Sequence, residues 1–217
     1  MAHAPMDFER VEAKGLVKMY GATRALTGVD VELRAGEVTV IEGPNGSGKS
    51  TLLSILAQLA RPTRGEVRYG GKKGAALRSR IGVLAHASML YPDLTGRENL
   101  ELFAHLYGVE DPARIPSLLE RFEIGSFVDR PVRTYSRGQL QRVSLGRALV
   151  HAPRLLLLDE PSTGLDIRGV DRLARAVEEE RARGAILVLV THDVPLAERL
   201  GSRRIVLERG KVKEVRP

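Results

Sequence analysis

Gly43-Pro44-Asn45-Gly46-Ser47-Gly48-Lys49-Ser50-Thr51 satisfies the pattern G-x-x-x-x-G-K-[ST], and its flanks decide how the rest of the chain is read. Before it, Glu37-Val38-Thr39-Val40-Ile41 is short, β-branched and apolar, as a buried strand would be. After it, Leu52 to Leu59 carries helical spacing and good helix formers. Strand, glycine loop and helix together make a phosphate site. The glycines let successive N–H groups turn inward, and the helix N-terminus adds partial positive charge. In that frame Lys49 reaches the β- and γ-phosphates and the Ser50 hydroxyl is a Mg²⁺ ligand.

The chain has 217 residues, enough to bury a substantial core as one large domain or two small lobes. At 4% aromatic content, aliphatic side chains must fill that core. The longest apolar runs, 155–158 and 185–190, are far too short to cross a bilayer. Residues 1–10 mix acids, a base and a proline without an apolar segment, so the sequence predicts a protein that stays in the cytoplasm. The absence of cysteine excludes disulfides and thiolate metal sites. The formal charge of +7 is compatible with nucleic acid, an anionic membrane or a polyphosphate ligand. With 27 acids interspersed among the bases, charge by itself names no partner.

Upstream of the loop, Phe8 to Ala13 and Gly28 to Leu33 read as strands, the second alternating with period two. Between them lies Leu16 to Gly21. Its Tyr20 is either filler or an aromatic face for an adenine ring. Gly65 to Tyr69 reads as a strand closed by Gly70-Gly71, and Arg80 to Leu84 as another. Residues 87–150 change texture: Glu98 to Tyr107 and Ile115 to Phe122 have helical spacing, and Thr95 with Glu98 is a capping-box pair. The α/β pattern resumes with strands at 155–158 and 186–190, a helix over 169–183 and a closing hairpin at 204–207 and 211–215. Strands alternating with helices predict a largely parallel sheet with ligands at its carboxyl edge.

That edge gathers acids. Asp159 follows four leucines and is expected to hold Mg²⁺ beside Ser50, from the end of a strand neighbouring the phosphate-loop strand. Glu160 points differently and is available to orient and deprotonate an attacking water. His192, after the strand at 186–190, is either structural or a donor to the γ-phosphate. Ser136 opens a helix through Val150. Its first turn either is plainly capped or makes an anion site, for an anion that another chain delivers.

Together these residues resemble the nucleotide-binding subunit of ABC transporters, and the resemblance covers nearly the whole chain in order. Tyr20 matches the adenine-stacking aromatic, and 43–51 match Walker A. Tyr135-Ser136-Arg137-Gly138-Gln139 matches the signature motif at Ser136, Gly138 and Gln139, and Leu155 to Glu160 matches Walker B with its catalytic glutamate. Ser162 to Asp166 matches the D-loop, and His192 the switch histidine. Two positions depart from the family: His86 replaces the Q-loop glutamine, which reaches Mg²⁺ in the family, and Arg137 replaces the first signature glycine. Both are similar to the haem-exporter ATPases of cytochrome c maturation, the CcmA-like group.

The resemblance implies an α/β ABC ATPase fold: a P-loop NTPase core with an antiparallel β lobe (8–86 and 151–217) and an inserted helical subdomain at 87–150. It implies ATP and Mg²⁺ as cofactors. ATP would be held by Tyr20, Asn45, Gly46, Ser47, Gly48, Lys49, Ser50 and Thr51, and by Ser136, Gly138 and Gln139 of a second chain. The metal would rest on Ser50, Asp159 and in part His86, and hydrolysis on Glu160, His192 and Lys49. Expected partners are a second ATPase subunit, as homodimer or paired subunit, and integral-membrane permease chains. These would place the protein on the inner face of the membrane, with haem export as the expected transport and another ABC substrate as the alternative. An ABC ATPase working on nucleic acid is disfavoured by the single cassette and the lack of a long coiled coil, and an ATPase weakened by His86 is a further alternative.

Overall fold

Period-two alternation and continuous apolar runs separate this chain's strands into two sheets. The computed structural model describes residues 8–70 and 75–216. The chain starts with a long antiparallel pair, β1 (Arg10–Tyr20) and β2 (Thr23–Arg34), followed by β3 (Val38–Glu42), α1 (Lys49–Leu56), β4 (Arg64–Tyr69) and β5 (Ile81–Leu84). Three helices come next: α2 (Gly96–Leu106), α3 (Arg114–Arg121) and α4 (Arg137–Leu149). The remainder is β6 (Leu155–Asp159), α5 (Ile167–Ala182), β7 (Ile186–Val190), α6 (Val194–Leu200), β8 (Arg203–Glu208) and β9 (Lys211–Arg216).

The larger sheet has the order β5-β6-β7-β3-β8-β9, parallel except for the β8–β9 hairpin. Its central strands are buried on both faces, as parallel strands flanked by other layers must be. Leu155 and Leu157 of β6 join one hydrophobic cluster with α1 and the smaller sheet β2-β1-β4, while Leu156 and Leu158 join another with α2 to α5. β7 divides the same way, with Ile186, Val188 and Val190 on the first side and Leu187 and Leu189 on the second.

Several boundaries differ from the sequence reading. β1 runs unbroken to Tyr20, where the sequence suggested a gap after Ala13. Gly15, at φ 59°, sits in a register irregularity that bends the strand without ending it. Helix α1 starts at Lys49, so Lys49 and Ser50 lie in its first turn. The short helix α6 was not foreseen, although Asp193 caps it by accepting from Leu196 N–H at 3.1 Å and a proline stands in its first turn. Residues 1–7, and Gly71 of the Gly70-Gly71 turn, lie outside the described residues.

The helical segment is tied to the sheet through polar contacts. Thr95 and Glu98 form the reciprocal capping box of α2, and the hydrogen bonds from Thr95 hold the Glu98 carboxyl below its ordinary range. Asn99 is fully buried and bridges both backbone groups of Tyr91, at 2.8 and 3.0 Å, which pins the loop after β5 onto α2. Arg147 of α4 donates to the Val83 carbonyl of β5 at 2.5 Å. No described helix is long and apolar enough to cross a membrane.

Candidate functional site

The phosphate loop leaves the end of β3 and closes on the first turn of α1. Two of its glycines are required by space as well as by backbone angle. A Cβ on Gly43 (φ 143°) would lie 2.1 Å from the Leu207 carbonyl, and one on Gly48 (φ 105°) 2.6 Å from the Ala25 carbonyl. Inside the loop the Lys49 ammonium donates to the carbonyls of Gly43 and Pro44, at 2.7 and 3.1 Å. The Ser47 hydroxyl is buried with no hydrogen-bond partner in the protein. A buried polar atom left without a partner is the mark of a site shaped for something else.

Beside the loop opens a cleft of about 500 Å³, and it collects most of the residues singled out in the sequence. Asn45, Gly46, Gly48, Lys49, Ser50 and Thr51 line it, and so do His86, Asp159, Glu160 and His192. Strand order corrects one expectation. Asp159 does not come from the strand next to β3, because β7 lies between β3 and β6 and brings His192 into the gap. Strand adjacency depends on long-range pairing that no local pattern records.

Glu160 is held from several sides. Its backbone is left-handed, at φ 50°, which is costly for a residue with a side chain and persists only where neighbours enforce it. Its N–H donates to the Val190 carbonyl at 2.8 Å, and its Oε2 accepts from the His192 N–H at 3.2 Å. The imidazole Nε2 of His192 stands 3.6 Å from Glu160 Oε1. Gln141 of α4 donates to the Pro161 carbonyl at 2.8 Å and approaches that of Glu160 at 3.5 Å. The sequence reading missed Gln141, since a glutamine inside an amphipathic helix carries no local mark of a long-range partner.

It also missed Thr23, Arg24 and Ala25, which form one wall of the cleft. They follow the tight β1–β2 turn in which Tyr20 pairs with Thr23. Tyr20 is 52% exposed at that turn, with the Lys18 ammonium over its ring at 4.9 Å from the centroid, and it is not among the residues that line the cleft.

Ser136, Gly138 and Gln139 are not brought to this cleft. They line a separate one, of about 530 Å³, with Arg137, Arg142 and Asp166. Ser136 Oγ accepts from the Gln139 N–H at 3.3 Å, and Gln139 Oε1 accepts from the Ser136 N–H at 3.1 Å and from Arg130 at 3.0 Å. The helix start is therefore capped by the reciprocal Ser136–Gln139 pair, and the Gln139 oxygen is engaged within the chain. Arg137 lies with its methylenes over Gly164, where a Cβ would come within 2.8 Å of Arg137 Cγ, and borders a small cavity shared with His86, Gln141 and Glu160.

The donor set suits Mg²⁺. Ser50 and Asp159 offer a hydroxyl and a carboxylate, hard oxygen donors on one cleft, leaving the other positions to water and phosphate as this ion prefers. His86 offers nitrogen, which suits Mg²⁺ less well. Among the described residues no group of three or more His, Cys, Asp and Glu forms a metal cage.

Residues 26–163 match the family described as ABC transporter. The chain is 37% identical over 209 residues to a daunorubicin resistance ATP-binding protein of Streptomyces coeruleorubidus, covering 93% of this chain and 66% of that protein. It is 36% identical to the Nod factor export ATP-binding protein I of Paraburkholderia xenovorans, covering 97% of this chain and 70% of the relative. The chain thus spans about two thirds of the length of these relatives. Among solved structures, an ATP-binding subunit of an ABC transporter superposes with a TM-score of 0.89 at 30% identity, covering 95% of this chain and 89% of that one. The dimeric post-hydrolysis state of the cassette MJ0796, bound to ADP and Pi, superposes with 0.87 at 31% identity, covering 95% and 97%.

Proposed function

The chain belongs to the ABC transporter family and has the ABC ATPase fold, an ATP-binding ATPase, and from that premise we propose that it is the subunit that drives export through a separate membrane partner. One observation carries the composite site. The phosphate loop, Asp159, Glu160 and His192 share one cleft, while the capped helix start at Ser136 and Gly138 opens into another. A helix N-terminus favours anions, and a second copy placed head to tail would supply it to the γ-phosphate.

In this reading Lys49 neutralises the β- and γ-phosphates and Tyr20 covers the adenine. Asn45, Gly46, Ser47, Gly48, Ser50 and Thr51 cradle the phosphate chain. Glu160 orients the water and takes its proton, and His192 donates toward the transferring phosphoryl group. Ser50 and Asp159 would hold Mg²⁺, which would supply charge neutralisation at the phosphates. Ser136 and Gly138 act from the partner copy, and Gln139 supports them through its capping bond. The units at 8–86 with 151–217 and at 87–150 serve as nucleotide core and helical transmitter. Docking on a permease would hold the protein at the inner face of the membrane.

The substrate reading follows the relatives. They are proteins of daunorubicin resistance and Nod factor export, which supports an exporter of that type. The haem-export expectation, which rests on the resemblance at His86, Arg137 and the residues around His86 between 82 and 100, finds no support among these relatives. Basic side chains such as Arg97, Arg121, Arg172, Arg199 and Arg204 are spent in ion pairs, which fits a dispersed charge better than a nucleic-acid face.

Glu160→Gln tests the mechanism. The expected result is an ATP-dependent dimer on size exclusion, with turnover down by on the order of 10²-fold or more. A variant that stays monomeric at saturating ATP and hydrolyses normally would sink the reading. Uptake of daunorubicin into inside-out vesicles bearing the co-purified membrane partner, run against haem, tests the substrate class.

A further inference from the structure

Helix α4 has two polar contacts of different kind at its start. Ser136 and Gly138, in and before its first turn, border the cleft that is separate from the one beside the phosphate loop. Gln141, one turn on, reaches inward to the strand end that carries Glu160. We propose that α4 has a second task besides the anion site read above: Gln141 positions the catalytic carboxylate of its own chain.

The geometry supports the second half directly. Glu160 needs external restraint, because its backbone sits at φ 50°. Two restraints come from the sheet, through Val190 and His192. A third comes from the Thr163 N–H, which donates to the Glu160 carbonyl at 3.2 Å within the same loop. Gln141 is a restraint from the helical segment, through its 2.8 Å bond to the carbonyl of the next residue, Pro161. The ring of Pro161 fixes its φ, which limits how far its carbonyl can turn away from Gln141. Gln141 is a positioning residue in this account, since it touches backbone and not the reacting atoms.

The inference rests on the dimeric reading above, with Glu160 as base. Its test uses full-length chains carrying two different tags, so that mixed dimers can be purified. The reference pairs a wild-type chain with an E160Q chain, leaving one working glutamate. Gln141→Glu keeps the side-chain length and removes the donor. Placed on the chain with the working Glu160, it is expected to lower kcat on the order of tenfold with KM for ATP unchanged. Placed instead on the E160Q chain, it should leave the pair at the reference rate. Gln141→Lys, which restores a long donor, should recover most of the loss. Equal slowing in both placements, or slowing only when Q141E sits beside E160Q, overturns the proposal. A reference pair that keeps full wild-type turnover would count against Glu160 as base, and with it against the reading this inference needs. Thermal melting of each variant separates a general loss of stability, which would lower both placements alike.

Discussion

The main-chain N–H of His192 donates to Glu160 Oε2 at 3.2 Å while the imidazole Nε2 of the same residue stands 3.6 Å from Oε1. One residue thus addresses both carboxylate oxygens, by backbone and by ring. The backbone half survives any substitution at 192 except proline, so the two contributions can be separated.

His192→Ala is expected to lower kcat on the order of 10²-fold, the scale of losing one polar group aimed at a developing charge. KM for ATP should change little, because the phosphate loop is untouched. Steady-state hydrolysis at saturating and limiting ATP checks both values.

Lys49→Ala should abolish tight ATP binding and also weaken the nucleotide-free protein. Its ammonium is the donor that two loop carbonyls, Gly43 and Pro44, share at 2.7 and 3.1 Å. Losing these charge-assisted bonds is expected to cost about 1–3 kcal/mol. Urea unfolding without nucleotide measures that cost apart from the binding defect.

Gly48→Ala should be worse than a helix-start alanine elsewhere. The left-handed φ of 105° is strained for alanine, and its Cβ would meet the Ala25 carbonyl at 2.6 Å and a Leu26 methyl at 2.7 Å. The backbone strain alone is worth about 1–3 kcal/mol. The loop must shift to relieve it, so ATP titration should show lost affinity together with a lower melting temperature.

His151 gives a pH prediction. Burial pushes its imidazole down from 6.5 to about 4, with Arg114, Arg147 and Arg183 adding to the shift, the Ile81 backbone opposing it, and the Tyr107 ring stacked at 3.9 Å. The folded chain resists protonation there more than the unfolded chain does, so its stability holds above pH 6.5 and falls as pH drops toward 4. The loss across that window amounts to about 3 kcal/mol. His151→Phe keeps the stack and should flatten this part of the stability profile, as urea midpoints from pH 7 to pH 4 would show.

Much of the ATP cleft was legible because its parts are local. Residues 43–51 carry loop chemistry within nine positions, and Leu155 to Glu160 puts the acids at the end of an apolar strand. What escaped depended on pairing across the chain. No periodicity shows that β7 separates β3 from β6, or that Gln141 reaches a carbonyl twenty residues on. The wall formed by Thr23, Arg24 and Ala25 was hidden because the alternation that marks β2 becomes clear only from Gly28, five residues after the strand begins. Helix α6 has seven residues, too few to display a period, though its aspartate cap and early proline were readable signals.

The bonds from Lys49 to Gly43 and Pro44 give the loop its own latch. They hold it in a curled form from within the chain, so its shape does not rest on phosphate contacts alone. Arrival becomes an exchange of acceptors at a single ammonium, with two carbonyls giving way to phosphate oxygens. Capture would therefore draw little on chain ordering, and in the proposed dimer the free energy of the phosphate contacts would be left for closing the two chains.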